Sequence, residues 1–371
     1  MTRLWRDALS TVSPGARPVA MPPTFYRDPS VLEAEIERLF LPGWICLCRA
    51  DEIPETGDFL TREVLDEPLV VTRSKQGIRV LSNVCRHRGS RLVHGSGSVK
   101  RLLCPYHAWT YDLEGRLVRA PLLDDQPGFE KTSCALPSFP VTEWMGWVFV
   151  NLDGTAEPLA PLLTDLDPLV RNHHAEEMRT AHAETETWEV NWKGLAENFM
   201  EGYHLSQVHL KTLHPMTPTK LCRKGPHGPD FTTYKAHYDP GFRGRTEAHA
   251  DMTEEERALS MMVWIYPGFV AAISPNSAVY MSLTPEGPEC VQTRWGVIAR
   301  ETTFEGGEAD ARAAFATAFN AEDKARLIDM QKGLRSRFAT GGPLAPADYE
   351  GTIWDFYQYL KHRLLSQAAS G

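Results

Sequence analysis

Short apolar runs separated by turn residues occupy residues 44–152. Leu69-Val70-Val71-Thr72, Ile78-Arg79-Val80-Leu81 and Trp147-Val148-Phe149-Val150 read as strands, punctuated by Gly57, Gly77, Gly115 and Gly146. This pattern predicts a small all-β domain. Ahead of it, Ser30-Val31-Leu32-Glu33 has the form of a capping box, and Leu32, Ile36, Leu39 and Phe40 recur at helical spacing. A Pro-rich stretch, 153–168, leads out of the β domain. Beyond about 170 the pattern mixes periods. Thr185, Trp188 and Val190 give a strand signal, a helix fits 192–208, and strand-like runs follow at 261–266, 270–273, 279–283 and 291–299. Two helical segments, about 308–336 and 346–364, come last. The Gly/Glu/Arg-rich stretch 240–256 predicts a mobile loop. There is no internal repeat and no low-complexity tract.

A length of 371 residues suggests two domains with ample core. Hydrophobic residues make up 42% and charged residues 23%, the balance of an ordinary globular protein. The net charge of −9 argues against a nucleic-acid partner. No apolar run approaches the ~20 residues that cross a bilayer, so no membrane association is expected. Residues 1–20 contain no apolar signal region, and cytoplasmic placement is the expectation. Seven cysteines, an odd number, do not suggest a disulfide framework. Cys46, Cys48, Cys134, Cys222 and Cys290 read as buried structural thiols.

The remaining two cysteines carry chemistry. Cys85-Arg86-His87 and Cys104-Pro105-Tyr106-His107 each supply one thiol and one imidazole. A Rieske [2Fe–2S] centre asks for two thiolates on one iron and two imidazoles on the other, and the neutral imidazoles raise its potential. A four-ligand zinc site is the alternative. Downstream, His204 and His209 stand five apart. Two histidines and one carboxylate make the face-capping ligand set of non-haem Fe(II) oxygenases. Glu201 and His204, three apart, share a helical face. Five helical residues rotate by about 140°, so His204 and His209 meet at one ion only if the helix ends, unwinds or bulges. Ser206 and Gln207 are the expected place. For the carboxylate, Asp323 aligns with Leu327, Met330 and Leu334 on one stripe, where an acid is costly unless paired or metal-bound. Glu322 and Asp329 lie off that stripe and read as solvent-facing charges. Structural histidines, and an acid placed merely to favour a helix N-terminus, remain the alternatives. His214, just before Pro215, reads as lying past the helix.

Taken together, Asn83-Val84-Cys85-Arg86-His87-Arg88-Gly89, the segment from Cys104 to Arg116, Asn191-Trp192-Lys193 through His209, and Glu322-Asp323 resemble the oxygenase α subunits of Rieske non-haem iron oxygenases over nearly the whole length. The resemblance implies an α+β chain. It divides into a helical lead (1–43), an N-terminal all-β Rieske domain (44–155) and a C-terminal helix-grip, START-like antiparallel-sheet catalytic domain (156–371). By position, Cys85 and Cys104 would bind one cluster iron and His87 and His107 the other, while His204, His209 and Asp323 would hold a mononuclear Fe(II). It further implies a homotrimer and a separate NAD(P)H-dependent flavin/iron–sulfur reductase. No Gly-rich dinucleotide motif follows a strand in this chain, in keeping with an external donor.

Ring-hydroxylating members of the family bridge the two sites across the subunit boundary with an Asp. This chain has Glu201 there, which resembles the branch acting on carnitine, choline and glycine betaine. The function implied is hydroxylation or N-demethylation of a small amine or betaine with O2. Hydroxylation or O-demethylation of an aromatic acid, and a non-catalytic electron carrier, are the competing readings. Trp264, Tyr266, Phe269, Tyr203 and Tyr280 could face a cationic ammonium, or simply be core aromatics.

Overall fold

A computed structural model describes residues 4–242, 248–300 and 307–365. The chain divides into two compact units: Cys46–Ala156, and Met1–Ile45 together with Glu157–Gly371. Among the described residues no helix is long and apolar enough to cross a membrane.

The first unit is built from antiparallel strands. Its five-stranded sheet runs in the order Ser96–Ser98, Asp58–Val64, Glu67–Ser74, Gly77–Ser82, Ser138–Phe139. A three-stranded sheet, Leu102–Leu103, Thr110–Tyr111 and Leu117–Arg119, carries the second Cys/His cluster in the turn between its first two strands. Val70, Leu81, Leu92, Leu102, Trp109 and Tyr111 pack with Cys85 and Cys104 in one buried cluster. Burying these side chains at ~1.5–3 kcal/mol each fixes the two loops that hold the cysteines.

The second unit is a seven-stranded antiparallel sheet gripped by helices. Its strands are β1 (Arg179–Trp188), β2 (Cys222–His227), β3 (Phe231–His237), β4 (Leu259–Ile265), β5 (Phe269–Ser274), β6 (Ser277–Gly287) and β7 (Cys290–Ala299), in the order β1-β7-β6-β5-β4-β3-β2. Helices α1 (Trp192–Phe199), α2 (Leu205–Val208), α3 (Glu308–Gly333) and α4 (Ala347–Leu365) complete it. The N-terminal segment is locked onto α1 by buried polar groups. Glu35 accepts from Lys193 Nζ at 2.6 Å and from Trp192 Nε1 at 2.8 Å. Tyr26 donates to Glu197 at 3.0 Å and lies 2.9 Å from the Tyr357 hydroxyl on α4.

Four local expectations are corrected. The helix Pro29–Glu35 is capped by Asp28, whose side chain accepts from Ser30 N, with Pro29 at its first position. The Ser30 capping box does not form, and the buried face is Val31, Glu35, Leu39 and Phe40. The 192–208 helix is broken into α1 and α2. The 240–256 stretch contains a capped turn of helix at Glu254–Arg257, while 243–247 lie outside the described residues. Finally, Cys134 and Cys290 are only partly buried, unlike Cys46, Cys48 and Cys222.

Candidate metal centres

The two loops of the β unit are built alike. In each, the amide four residues on returns to the cysteine carbonyl, from Gly89 to Cys85 and from Ala108 to Cys104, both at 3.1 Å. The cysteine amide in turn donates five residues ahead, to Ser90 and to Trp109, both at 2.8 Å. Closing so tight a loop puts the fourth residue in the left-handed region, at φ 76° for Gly89 and 56° for Ala108. Cys85 and Cys104 are buried, whereas His87 and His107 are exposed. The imidazoles face each other with their Nδ1 atoms 3.2 Å apart, and His87 stacks on Trp109.

The surroundings suit thiolates. Burial works against Cys104 ionising, but hydrogen bonds from the backbone N–H groups of Tyr106 and His107 and from the Cys85 and Ser90 side chains together outweigh it and lower its pKa. Burial raises Cys85, opposed by the Tyr111 hydroxyl, 3.4 Å from its sulfur. Hydrogen bonds to sulfur are also what tune a Rieske potential. A single tetrahedral zinc ion would draw its donors to about 3.3–3.8 Å of one another. No three of these four donor atoms gather within 4.8 Å. A thiol pair beside an imidazole pair fits two irons rather than one ion.

In the second unit, His204 Nε2 and His209 Nε2 lie 3.2 Å apart. Asp323 Oδ1 is 3.6 Å from the first and 3.0 Å from the second. The expected irregularity exists, though not at Ser206-Gln207. His204, with helical backbone angles of φ −76° and ψ −21°, immediately precedes α2, and His209, at ψ 38°, ends it. One helical turn that ends at His209 brings both rings to one point. The break before it has a cause: Glu201 Oε2 accepts the amides of Tyr203 and His204. Gly202 is required there, because a Cβ would collide with the Cys222 side chain.

Both imidazoles are oriented from behind. Glu201 Oε1 accepts from His204 Nδ1 at 2.5 Å, and Glu322 Oε2 accepts from His209 Nδ1 at 2.7 Å and from Thr212 at 2.6 Å. A carboxylate at Nδ1 fixes the tautomer that leaves a lone pair on Nε2. Asp323 Oδ1 is buried and makes no hydrogen bond. Three electron-rich atoms therefore converge where only a cation satisfies them. The His204 pKa reports the same field. Burial disfavours its charged form, yet Glu201 and Asp323 outweigh that and raise it to about 9. The residues present fit a divalent metal.

Asp323 lies mid-helix in α3, so the helix-start alternative fails. Leu327 is buried beside it, but Met330 is 43% exposed; the buried stripe runs instead through Ala316, Phe319, Asn320, Leu327 and Gln331. Glu322 is the clearest correction: it is a partner of His209, not a solvent-facing charge. His214 lies past α2 and bonds Ser206 at 2.9 Å.

The pocket formed by His204, His209 and Asp323 opens into a cavity of about 460 Å³ between α3 and the sheet. Tyr234 and Ala236 of β3, Ser260 and Met262 of β4, Ala272 and Ser274 of β5, and Val279 of β6 wall it at alternate positions, hence from one sheet face. Phe242, Phe315 and Phe319 add aromatic surface. None of the five aromatics singled out from the sequence reaches it. Trp264 and Tyr266 pack on Phe356 of α4, Phe269 lies against Tyr280, and Tyr203 is 58% exposed beside Tyr349.

A thiol/imidazole cradle in a β unit, with a two-His-one-carboxylate pocket under a helix-gripped sheet, defines the class of Rieske non-haem iron oxygenases. The family comparisons agree. Residues 43–140 match the Rieske [2Fe-2S] domain, and residues 171–366 match the ring hydroxylating alpha subunit catalytic domain. The chain belongs to the ring-hydroxylating α-subunit family, and it is an oxidoreductase. Its Rieske domain carries a [2Fe–2S] cluster and its catalytic domain a mononuclear iron. It is 27% identical over 339 residues to the carnitine monooxygenase oxygenase subunit of Escherichia coli K12, covering 90% of this chain and 88% of that one. Among solved structures, the quaternary ammonium Rieske monooxygenase CntA with an inhibitor superposes at TM-score 0.83 and 24% identity, over 97% of this chain and 98% of that one. Naphthalene 1,2-dioxygenase from Rhodococcus sp. superposes equally, at TM-score 0.83 and 20% identity, over 99% and 98%. The shared fold thus does not choose a substrate.

Proposed function

We propose that this chain is the terminal oxygenase of a homotrimeric monooxygenase system that oxidises an N-methyl carbon of a small quaternary amine or betaine. In this reading Cys85, His87, Cys104 and His107 hold the cluster, and His204, His209 and Asp323 hold the iron. The observation that carries it is the convergence of His204 Nε2, His209 Nε2 and Asp323 Oδ1 at the mouth of an aromatic-walled cavity. A pure electron carrier would have no use for it.

The bound groups would supply electron relay and oxygen activation. The chain's residues do the rest. Glu201 holds the His204 ring and would also accept a hydrogen bond from the partner subunit's His107, linking the two sites. The exposure of the Rieske imidazoles leaves that edge free for docking. Glu322 and Thr212 hold His209 in place. Phe315, Phe319 and Tyr234 offer ring faces to a cationic ammonium. Electrons come from an NAD(P)H-dependent flavin/iron–sulfur reductase. Two electrons, two protons and O2 convert the N-methyl to a carbinolamine and water. Loss of its hydroxyl proton, with the C–N bonding pair passing to nitrogen, then releases formaldehyde and the demethylated amine.

The test is NADH consumption coupled to formaldehyde release, across a panel of betaines and aromatic acids. Formaldehyde from at least one betaine is expected. Formaldehyde from none of the amines contradicts the reading.

A further inference from the structure

The cavity wall contributed by α3 has two chemically different ends. Asp323 stands at one end and Arg312 at the other, eleven residues earlier on an unbroken helix. Eleven residues rotate by about 20° net and rise about 16 Å, so both lie on one face, far apart along the axis. Phe319 and Phe315 fall between them on the same wall.

Arg312 is under-partnered for its position. Its Nη1 donates to Ser277 Oγ at 3.1 Å, beside the β5–β6 turn. Among the described residues its one ion pair is loose, 3.7 Å to Glu308, whose side chain is 65% exposed while that of Arg312 is 22% exposed. Its Nε is buried and makes no hydrogen bond among the described residues. An unsatisfied buried donor on a charged group costs free energy unless something fills it. Around it, Ser274 and Ser260 line the cavity and share a hydrogen bond at 2.7 Å. Apart from the two histidines at the metal end, Arg312 is the only basic side chain lining the cavity among the described residues.

We propose that Arg312 binds the carboxylate of the substrate, at the opposite end of the cavity from the carbon that is oxidised. This rests on the amine reading above and narrows it. The preferred substrate is an elongated zwitterion whose ammonium sits near Phe319 and whose carboxylate reaches Arg312 and the serines. A betaine with one methylene between its charges cannot touch both ends of a cavity this long. A longer ω-trimethylammonio acid can. The forked guanidinium suits a carboxylate because two parallel N–H donors match its two oxygens.

Calorimetric titration of the iron-loaded chain tests this with (trimethylammonio)acetate, -butanoate, -hexanoate and -octanoate, with hexyltrimethylammonium as the carboxylate-free control. Affinity should rise beyond the acetate. A charge-assisted contact is worth about 1.5–3 kcal/mol, so Arg312→Gln should weaken the longer acids about 10- to 100-fold. Hexyltrimethylammonium should change less than about two-fold, and Arg312→Lys should restore part of the loss. A melting curve like that of the unaltered chain confirms that the variants are folded. Equal losses for acids and control, or no loss for either, overturn the assignment. So does formaldehyde production from the betaines that is indifferent to residue 312, although demethylation itself would then stand. Arg312-dependent binding of benzoates without binding of any ammonium compound would support the anchor and remove the amine reading.

Discussion

At the scale of single residues, the site depends on carboxylates that do not touch the metal position. Glu201 and Glu322 each fix one imidazole through its Nδ1. Losing such a partner costs about 10- to 100-fold in metal affinity. Glu322→Ala should therefore weaken iron binding at the mononuclear site by about that factor, measured by competition with a chelator. Glu322→Gln, whose amide oxygen still accepts from Nδ1–H, should retain most of it. The visible absorption of the cluster should be unchanged in both. Equal iron retention in all three proteins would show that Thr212 and the backbone suffice to hold His209. The thiol and imidazole donors were legible because their spacing is local: Cys-x-His and Cys-x-x-His are short-range patterns. Glu322 was not. Its neighbour Asp323 could be read from a helical stripe, but the direction of Glu322 depends on where α3 lies against His209 and Thr212, which no local pattern encodes.

At the scale of elements, α1 combines catalytic positioning with an unusual core. Its outward end leads to Glu201, while its inner face carries Lys193 and Glu197 into apolar surroundings. Burial raises the Glu197 pKa from an ordinary 4.5 to about 8, against the opposing hydrogen bond from Tyr26 and the charge of Lys193. The native state then holds a proton that the unfolded chain has lost between those two values. Its stabilising contribution is complete below the lower value and fades as pH rises through the upper one. Thermal melting should accordingly fall across that window, and Glu197→Gln, which stays neutral, should flatten the slope. An unaltered slope in the variant would assign the pH dependence to other groups.

The periodic elements, β4 to β7 and both long helices, followed from apolar spacing. The break between α1 and α2 did not, because Glu201 captures two backbone amides that a continuous helix would use otherwise. Gly202 was the available signal: a glycine inside an expected helix marks a close approach or an end. The Asp28 cap was missed for a similar reason. Asp28-Pro29 competes with Ser30 as a helix start, and proline at the first helical position favours the earlier one.

For the whole molecule, the proposal is a series circuit in which the cluster of one subunit serves the iron of its neighbour. Co-expression of two inactive chains tests that wiring. A Cys85→Ser chain should lack the cluster and an Asp323→Ala chain should lack the mononuclear iron, so neither homotrimer should turn over substrate. Mixed trimers should recover a measurable fraction of the activity, because an intact cluster then faces an intact iron site across a subunit boundary. Complete inactivity of assembled mixed trimers would place the transfer elsewhere. Under that arrangement lies a simpler requirement, that each chain holds two distinct inorganic centres. Iron and acid-labile sulfide counts on the reconstituted protein address it most directly. Three irons and two sulfides per chain are predicted, falling to two irons with the Rieske spectrum intact in Asp323→Ala. Two irons in the unaltered chain, or three retained in the variant, would contradict the account.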